Sequence, residues 1–267
     1  MRKEERQLEL DKIEYDFSDE VVLITGAGQG IGEATARMFA KSHAHVVLVD
    51  WNEDTVHNVT NNLASKYPKQ KFVAIKTDVS NPDEVASMTK QSMEAFGKID
   101  ILFNNAGVTM RKPIKDFTFE DYRYIMKVNL DGAFLVAHSV GLRMIERRKG
   151  RIINNSSMSA MIINRGRENY IYCISKAAVN MLTRAFAVDW VQYNVIVNAI
   201  APGYTRTPIN AKMVDDPILS KQFTDSVPLG RFAEPEEMAA AVLYLASPAT
   251  TMLVGHILIL DGGYTLW

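Results

Sequence analysis

Seven short runs of β-branched and aliphatic residues recur along this chain, and segments with a helical period separate them. Such runs are typical of buried strands. After residue 30, apolar residues recur at positions i, i+3, i+7 and i+8, which indicates a helix lying on a sheet over residues 31–42. Each crossover is long enough for a parallel connection. The alternation predicts an α/β fold with a doubly wound, parallel, seven-stranded, Rossmann-like sheet and helices on both faces. The predicted strands are 21–24, 46–49, 72–75, 101–103, 151–154, 195–200 and 256–260.

The 267 residues show no break in composition, no internal repeat and no low-complexity tract, which favours one domain. Residues 1–16 are heavily charged and are predicted to be a frayed extension or a short surface helix. Residues 17–267 are predicted to form a single domain that contains both the cofactor site and the substrate site. The stretch 207–228 interrupts the alternation, and we expect a loop or helical lid there.

Charge and cysteine content exclude several classes of function. The chain has 30 Lys and Arg against 31 Asp and Glu, so no global field would attract nucleic acid or an anionic membrane. No apolar run approaches the roughly 18 residues of a membrane span. The single cysteine, Cys173, excludes an internal disulfide, and the five histidines show no metal-ligand spacing. These features predict a soluble, cytoplasmic protein without a catalytic metal.

A glycine-rich turn follows the first predicted strand and opens the first helix, in the sequence Thr25-Gly26-Ala27-Gly28-Gln29-Gly30-Ile31-Gly32. Glycines allow close approach of a pyrophosphate, and a helix N-terminus offers unpaired N–H groups and a positive dipole end. The spacing differs from a strict G-x-G-x-x-G pattern. Nucleotide binding is therefore the preferred interpretation, with a purely structural turn as the alternative.

Polar residues follow three further predicted strands, where ligands bind in sheets of this kind. Asp50 ends the second strand, and its carboxylate could accept hydrogen bonds from an adenosine ribose or merely begin a turn. Asp78 and Val79 follow the third strand, although Asp78 could instead cap the next helix. Asn104-Asn105-Ala106-Gly107 follows the fourth strand. Together these positions predict one crevice at the carboxyl edge of the sheet.

Tyr172 and Lys176 lie four residues apart in a predicted helix, so they share a face. A cation beside a phenol lowers its pKa from about 10 toward working pH, which makes a tyrosine usable as a general acid or base. Taken alone, such pairs are usually surface features. Ser157 follows a buried strand, and its hydroxyl could hold a substrate oxygen. Ser156 and Ser159 compete for that role, but position after the strand favours Ser157.

This ordered set of motifs resembles the short-chain dehydrogenase/reductase family from about residue 17 to the end. The motifs are Thr25-Gly26-x-x-x-Gly30-x-Gly32, Asn104-Asn105-Ala106-Gly107, Asn129, Ser157, Tyr172-x-x-x-Lys176, Pro202-Gly203 and Asp261-Gly262-Gly263. The resemblance implies that Tyr172 is the acid/base, that Ser157 positions the carbonyl or hydroxyl, and that Lys176 lowers the Tyr172 pKa and holds the nicotinamide ribose. It also implies a proton relay supported by Asn129. The implied cofactor-binding set is Gly26, Gln29, Gly30, Ile31, Gly32, Asp50, Asp78, Val79, Asn105, Ala106, Gly107, Tyr172, Lys176, Pro202, Gly203, Thr205 and Thr207.

The chain departs from the family pattern at two turns, where His43 and Asn194 replace the usual glycines. Neither position touches a catalytic group. Arg165-Gly166-Arg167-Glu168, just before Tyr172, could contact a polyhydroxylated or anionic substrate or could be a solvated charged loop.

The resemblance predicts an NAD(H)-dependent oxidoreductase that acts on a secondary alcohol or ketone, most similar to the branch that acts on sugars, polyols and sugar acids. A 3-oxoacyl thioester reductase is the alternative, and a non-catalytic nucleotide-sensing protein is a third hypothesis. Preference for NAD over NADP is expected from Asp50. The expected partners are the small-molecule substrate and other copies of the chain in a homotetramer.

Overall fold

A seven-stranded parallel sheet forms the centre of the protein, in the strand order β3-β2-β1-β4-β5-β6-β7. The computed structural model describes residues 14–266, so most of the predicted charged extension (residues 1–13) and Trp267 lie outside the described residues. The predicted fold class is confirmed, and a strand occurs at each of the seven predicted places. The strands are β1 Val21–Thr25, β2 His45–Asp50, β3 Phe72–Lys76, β4 Ile101–Asn104, β5 Gly150–Asn155, β6 Val195–Pro202 and β7 Ile257–Leu260.

Helices cover both faces of this sheet. They are α1 Gly30–Lys41, α2 Glu53–Lys66, α3 Pro82–Phe96, α4 Phe119–Met126, α5 Gly132–Arg147, α6 Tyr170–Trp190, α7 Ala211–Asp215, α8 Pro217–Thr224 and α9 Pro235–Ala246. A π-helical turn, Lys127–Asp131, joins α4 to α5. Helix α3 is capped by Asn81, whose side chain accepts hydrogen bonds from the Asp83 and Glu84 N–H groups. The alternative in which Asp78 caps α3 is therefore wrong, because the Asp78 carboxylate accepts from Ser80 instead.

Two apolar layers hold the helices on the sheet. Phe39 of α1 and Met238 of α9 belong to the layer on one face, and Met88 of α3 and Trp190 of α6 belong to the layer on the other. Helix α5 approaches α6 closely at Gly141, where an added Cβ would lie 2.2 Å from the Trp190 ring. These layers fix α6, which carries Tyr172 and Lys176, against the sheet.

The two turns that lack the family's glycines keep a left-handed backbone. His43 has φ of 71° and Asn194 has φ of 59°. Asparagine and histidine are among the non-glycine residues that adopt this conformation most often. The turns are therefore preserved, and the strands that follow them, β2 and β6, keep their places.

The strand order reverses between β1 and β4, which are neighbours although β2 and β3 lie between them in sequence. Such a switch point is where ligands bind in open α/β sheets, beyond the carboxyl ends of the strands. The stretch 207–228, predicted as a loop or helical lid, contains the short helices α7 and α8 beside this edge. None of the helices described between residues 14 and 266 combines the length and the apolar composition that a membrane-spanning helix needs.

Candidate active site

A cleft of about 680 Å³ opens at the carboxyl edge of the sheet over the switch point. Its volume falls within the range of about 300–1,000 Å³ that is usual for ligand sites. All of the predicted site residues line the cleft except Gly32 and Asn129. The fold therefore brings the predicted residues together in one cleft, from the ends of strands β1 to β6 and from helix α6.

The glycine turn brings the N-terminus of α1 to the cleft. Gly26 has φ of +64°, a conformation that favours glycine. A Cβ on Gly32 would lie 2.0 Å from the Gly26 carbonyl oxygen, so α1 can approach the turn this closely only because residue 32 has no side chain. Gln29 is the N-cap residue, and its side chain makes no capping hydrogen bond. The first N–H groups of α1 thus lack a side-chain acceptor at the point where a phosphate would bind. This geometry fits the pyrophosphate of a dinucleotide.

Asp50 lies at the end of β2 and is only 7% exposed. One carboxylate oxygen accepts from the Gly28 N–H at 2.9 Å, and the other accepts from the Asn52 N–H at 3.1 Å. These bonds fix the carboxylate on the cleft wall. Lys76 is its neighbour on β3, but the Lys76 ammonium lies 3.8 Å from Glu53. Among the described residues, no cation lies within ion-pair distance of Asp50.

A chain of hydrogen bonds connects the ends of the central strands to α6. The Asn105 side chain donates to the Thr25 carbonyl at 2.9 Å, and the Asn155 side chain donates to Asn105 Oδ1 at 2.8 Å. The Lys176 ammonium donates to the Asn155 carbonyl at 2.7 Å. The position of Lys176 is therefore set by β1, β4 and β5 together.

Asn129 lies beneath the cleft wall, in the π-helical turn. Its side chain accepts from the Val108 N–H at 2.7 Å and donates to the Val108 carbonyl and to Ser175 Oγ, each at 2.9 Å. A Cβ on Gly107 would lie 3.2 Å from Asn129 Oδ1 and 3.4 Å from Lys176 Nζ. Asn129 thus fixes the loop after β4 against α6, and Gly107 permits that close packing.

Tyr172 and Lys176 face each other as their spacing predicts, with Lys176 Nζ 5.7 Å from the centre of the Tyr172 ring. Burial lowers the pKa of Lys176 to about 8. Burial also raises the pKa of Tyr172, while a hydrogen bond with Ser157 and the positive charge of Arg167 act in the opposite direction. The expectation of a lowered Tyr172 pKa is therefore wrong for the net shift, because desolvation of the phenolate outweighs the neighbouring charges.

The charged loop before α6 divides into a solvated part and a buried part. Arg165 is exposed, whereas Arg167 is buried and lines the cleft. The guanidinium of Arg167 lies 5.2 Å from the centres of the Tyr204 and Phe223 rings. The interpretation as a solvated charged loop therefore fits Arg165, whereas the interpretation as a substrate contact fits the position of Arg167.

Several lining residues were not identified from the sequence. They include Trp51, Lys76, Tyr124, Lys127, Asn169 and Asn210. Trp51 directly follows Asp50 at the end of β2, and an aromatic residue at that place could have indicated a ligand contact. In the structure its side chain is 73% exposed. The others come from strand β3, loops and helices whose local sequence carries no ligand-binding pattern.

Comparison with known proteins identifies the family. A family model described as enoyl-(acyl carrier protein) reductase matches residues 26–265. The chain is 38% identical over 244 residues to a galactitol 2-dehydrogenase (L-tagatose-forming) of Cereibacter sphaeroides, covering 91% of this chain and 94% of that protein. This chain belongs to the short-chain dehydrogenase/reductase family. It is an oxidoreductase that acts on CH–OH groups.

Two further short-chain dehydrogenases bear on cofactor and substrate. An NAD-dependent glycerol dehydrogenase of Listeria innocua is 34% identical over 253 residues, covering 95% of this chain and 96% of that protein. The crystal structure of a gluconate 5-dehydrogenase from Burkholderia cenocepacia, in complex with NADP and tartrate, is 34% identical with a TM-score of 0.88, covering 97% of this chain and 99% of that one. Within the family, the chain therefore resembles sugar and polyol dehydrogenases.

Proposed function

We propose that this protein is an NAD(H)-dependent dehydrogenase that interconverts a secondary alcohol and a ketone in a sugar, a polyol or a sugar acid. One observation carries the proposal: Tyr172, Ser157 and Lys176 line the same cleft as the glycine turn and Asp50. Groups for proton transfer and groups for nucleotide binding therefore face one continuous space, as a hydride transfer requires.

The roles of the residues follow from their chemistry. NAD(H), when bound, supplies the acceptor or donor of the hydride that leaves or joins the substrate carbon. Tyr172 takes the hydroxyl proton during oxidation and returns it during reduction. The Ser157 hydroxyl, which also bonds Tyr172, holds the substrate oxygen. Lys176 supplies positive charge beside the phenol and donors for the nicotinamide ribose, and Asn129 supports the proton relay from its place behind Lys176.

Cofactor binding is assigned to the residues around the glycine turn and the strand ends. They are Gly26, Gln29, Gly30, Ile31, Gly32, Asp50, Asp78, Val79, Asn105, Ala106, Gly107, Tyr172, Lys176, Pro202, Gly203, Thr205 and Thr207. Of these, Gly32 acts indirectly, because it lies behind Gly26 rather than on the cleft wall. One similar protein is named as NAD-dependent and another was crystallised with NADP, so similarity alone does not choose the cofactor. The proposed preference for NAD over NADP therefore depends on the fixed carboxylate of Asp50.

A substrate panel with NADH absorbance tests the proposed activity. The panel contains polyols, aldonates, ketoses and 3-oxoacyl thioesters, each assayed with NAD(H) and NADP(H). We expect turnover of a polyol, sugar or sugar acid. Reduction of thioesters alone would support the alternative, a 3-oxoacyl thioester reductase, which is the activity named for a relative that is 34% identical over 251 residues. Tight NADH binding without turnover of any compound would support a nucleotide-sensing protein, although that class is not expected to keep both Tyr172 and Lys176.

Assembly into a homotetramer is also proposed, and two exposed apolar surfaces support it. On α5 and α6, Phe134, Met181 and Val188 are 43%, 60% and 77% exposed. At the β7 edge of the sheet, Met252 and Ile259 are 91% and 42% exposed. Two separate apolar surfaces on one chain allow two different two-fold contacts, which together make a tetramer. A cytoplasmic location is proposed from the cysteine content, since the single thiol, Cys173, is buried and unpaired.

A further inference from the structure

The carboxylates that line the cleft and most of its lining cations come from different parts of the chain, with Lys76 as the exception among the carboxylates. The lining carboxylates, Asp50, Asp78 and Glu84, all come from the segment between β2 and α3. From residue 105 onward, where Tyr172 and Ser157 lie, the described lining residues include three cations and no Asp or Glu. Those cations are Lys127, Arg167 and Lys176. Arg167 and Lys176 therefore place positive charge near Tyr172, whereas the charge of Lys127 acts on the Asp78 carboxyl.

Arg167 is a buried cation that contacts the Tyr204 and Phe223 rings but has no carboxylate partner among the described residues. It is only 8% exposed, and its Nε has no hydrogen-bond partner among the described residues. One terminal nitrogen donates to the Met213 sulfur at 2.7 Å, a weak acceptor, and the other reaches Asn210 Oδ1 only at 3.4 Å. A buried guanidinium ordinarily has a carboxylate partner, because burying a charge without one is costly.

A second arginine converges on the same place. Arg111, in the loop after β4, also reaches Asn210 Oδ1 at 3.4 Å, so one neutral oxygen is shared by two guanidinium groups. Burial, followed by repulsion from Arg111, lowers the pKa of Arg167 to about 10. In the described part of the chain, no carboxylate forms an ion pair with either arginine. Two like charges without an anion between them indicate that the missing anion comes from a ligand.

We propose that Arg167, assisted by Arg111 at the rim, binds the carboxylate of the substrate, so that the substrate is a hydroxy or keto sugar acid rather than a neutral polyol. This inference rests on the proposed function, since it concerns the substrate of the same site. A planar guanidinium with free donors matches a carboxylate in charge and in bidentate geometry. A sugar phosphate offers related anionic chemistry, and the test below separates the two.

The test compares matched substrates that differ only in the acid group. Oxidation of D-galactonate, galactitol and galactitol 1-phosphate is followed by NADH absorbance in the wild type, Arg167→Gln, Arg167→Lys and Arg165→Gln. We expect the wild type to have a higher kcat/KM for galactonate than for galactitol. In Arg167→Gln this ratio should fall about tenfold to a hundredfold, the effect of losing a charge-assisted hydrogen bond, mainly through KM. Arg167→Lys should retain part of the ratio, and the exposed control Arg165→Gln should retain all of it.

An equilibrium measurement keeps the inference separate from the proposed activity. Binding of galactonate to the complex with NADH is measured by calorimetry in the same four proteins, and each variant's NADH affinity shows whether its site is intact. Galactonate binding that weakens in Arg167→Gln supports the inference even if no compound is turned over. Three outcomes would overturn the inference without contradicting the dehydrogenase activity. They are a wild type with equal kcat/KM for galactitol and galactonate, an equal fall in kcat/KM for both substrates in Arg167→Gln, and a higher kcat/KM for galactitol 1-phosphate than for galactonate.

Discussion

Replacement of Asp50 by Asn should shift the cofactor preference from NAD toward NADP. The carboxylate is held by the Gly28 and Asn52 N–H groups, so it cannot swing away from the cleft without losing both bonds. Asparagine has nearly the same shape and keeps one oxygen that can accept such a bond. The substitution therefore removes the charge and leaves most of the local structure.

The expected magnitude follows from the charge on the additional phosphate of NADP. Two unit charges about 4 Å apart interact by about 4 kcal/mol at an effective dielectric of 20. The phosphate carries more than one charge, whereas solvent at the cleft mouth screens the pair, so we expect roughly a hundredfold preference for NAD in the wild type. Lys76, adjacent on β3, pairs with Glu53 at 3.8 Å and offers only partial compensation.

The assay is the ratio of kcat/KM for NAD to that for NADP with any accepted substrate. In Asp50→Asn the ratio should fall at least tenfold, with most of the change coming from improved use of NADP. Asp54→Asn removes a nearby, exposed carboxylate that does not line the cleft and serves as the matched control. Equal use of both cofactors by the wild type, or an unchanged ratio in Asp50→Asn, would refute the role assigned to Asp50.

Three further predictions concern proton transfer, stability and assembly. Tyr172→Phe should reduce kcat at least a thousandfold and leave the NADH affinity within about twofold, because the ring remains and only the transferable proton is lost; a variant that keeps most of its kcat would remove Tyr172 from the mechanism. The pKa of Lys176 is lowered to about 8 in the folded protein, so between about pH 8 and pH 10 the unfolded chain binds more protons than the folded one. The free energy of unfolding should therefore rise with pH by up to about 3 kcal/mol relative to Lys176→Met, as measured by urea denaturation; parallel pH profiles would contradict this. Light scattering at micromolar concentration should give about four times the chain mass of 29.9 kDa, and a monomer mass would disprove the tetramer.

Much of the fold could be predicted because buried parallel strands leave a direct mark on the sequence. The runs that became β1 and β2 are fully apolar, since both of their faces are covered by helices. The glycine turn was equally visible, because only glycine fits where Gly32 packs on Gly26. At His43 the same rule would have suggested a changed turn, yet the backbone stays left-handed with a histidine in place.

What could not be predicted depends on contacts between distant segments. Arg167 lies in a loop that, by its charge pattern, looks solvated, and it is buried only because Tyr204 and Phe223 pack around it from beyond β6. The Tyr172 pKa was expected to fall because the neighbouring lysine is visible in the sequence, whereas the burial that raises this pKa is not. Asn129 was named only through the family resemblance, since its partners Val108 and Ser175 lie 21 and 46 residues away.

Two buried cations near Tyr172 lower the stability of the folded protein. Lys176 and Arg167 are both buried there, and burial lowers the pKa of both. Neutral side chains in their places would avoid a desolvation cost of several kcal/mol for each ion. The positive charge of Arg167, however, favours the phenolate of Tyr172, which is the form that would accept the substrate proton in the proposed mechanism, and it opposes the burial that disfavours this form. We therefore attribute the burial of Lys176 and Arg167 to their proposed roles in proton transfer and anion binding, and not to folding.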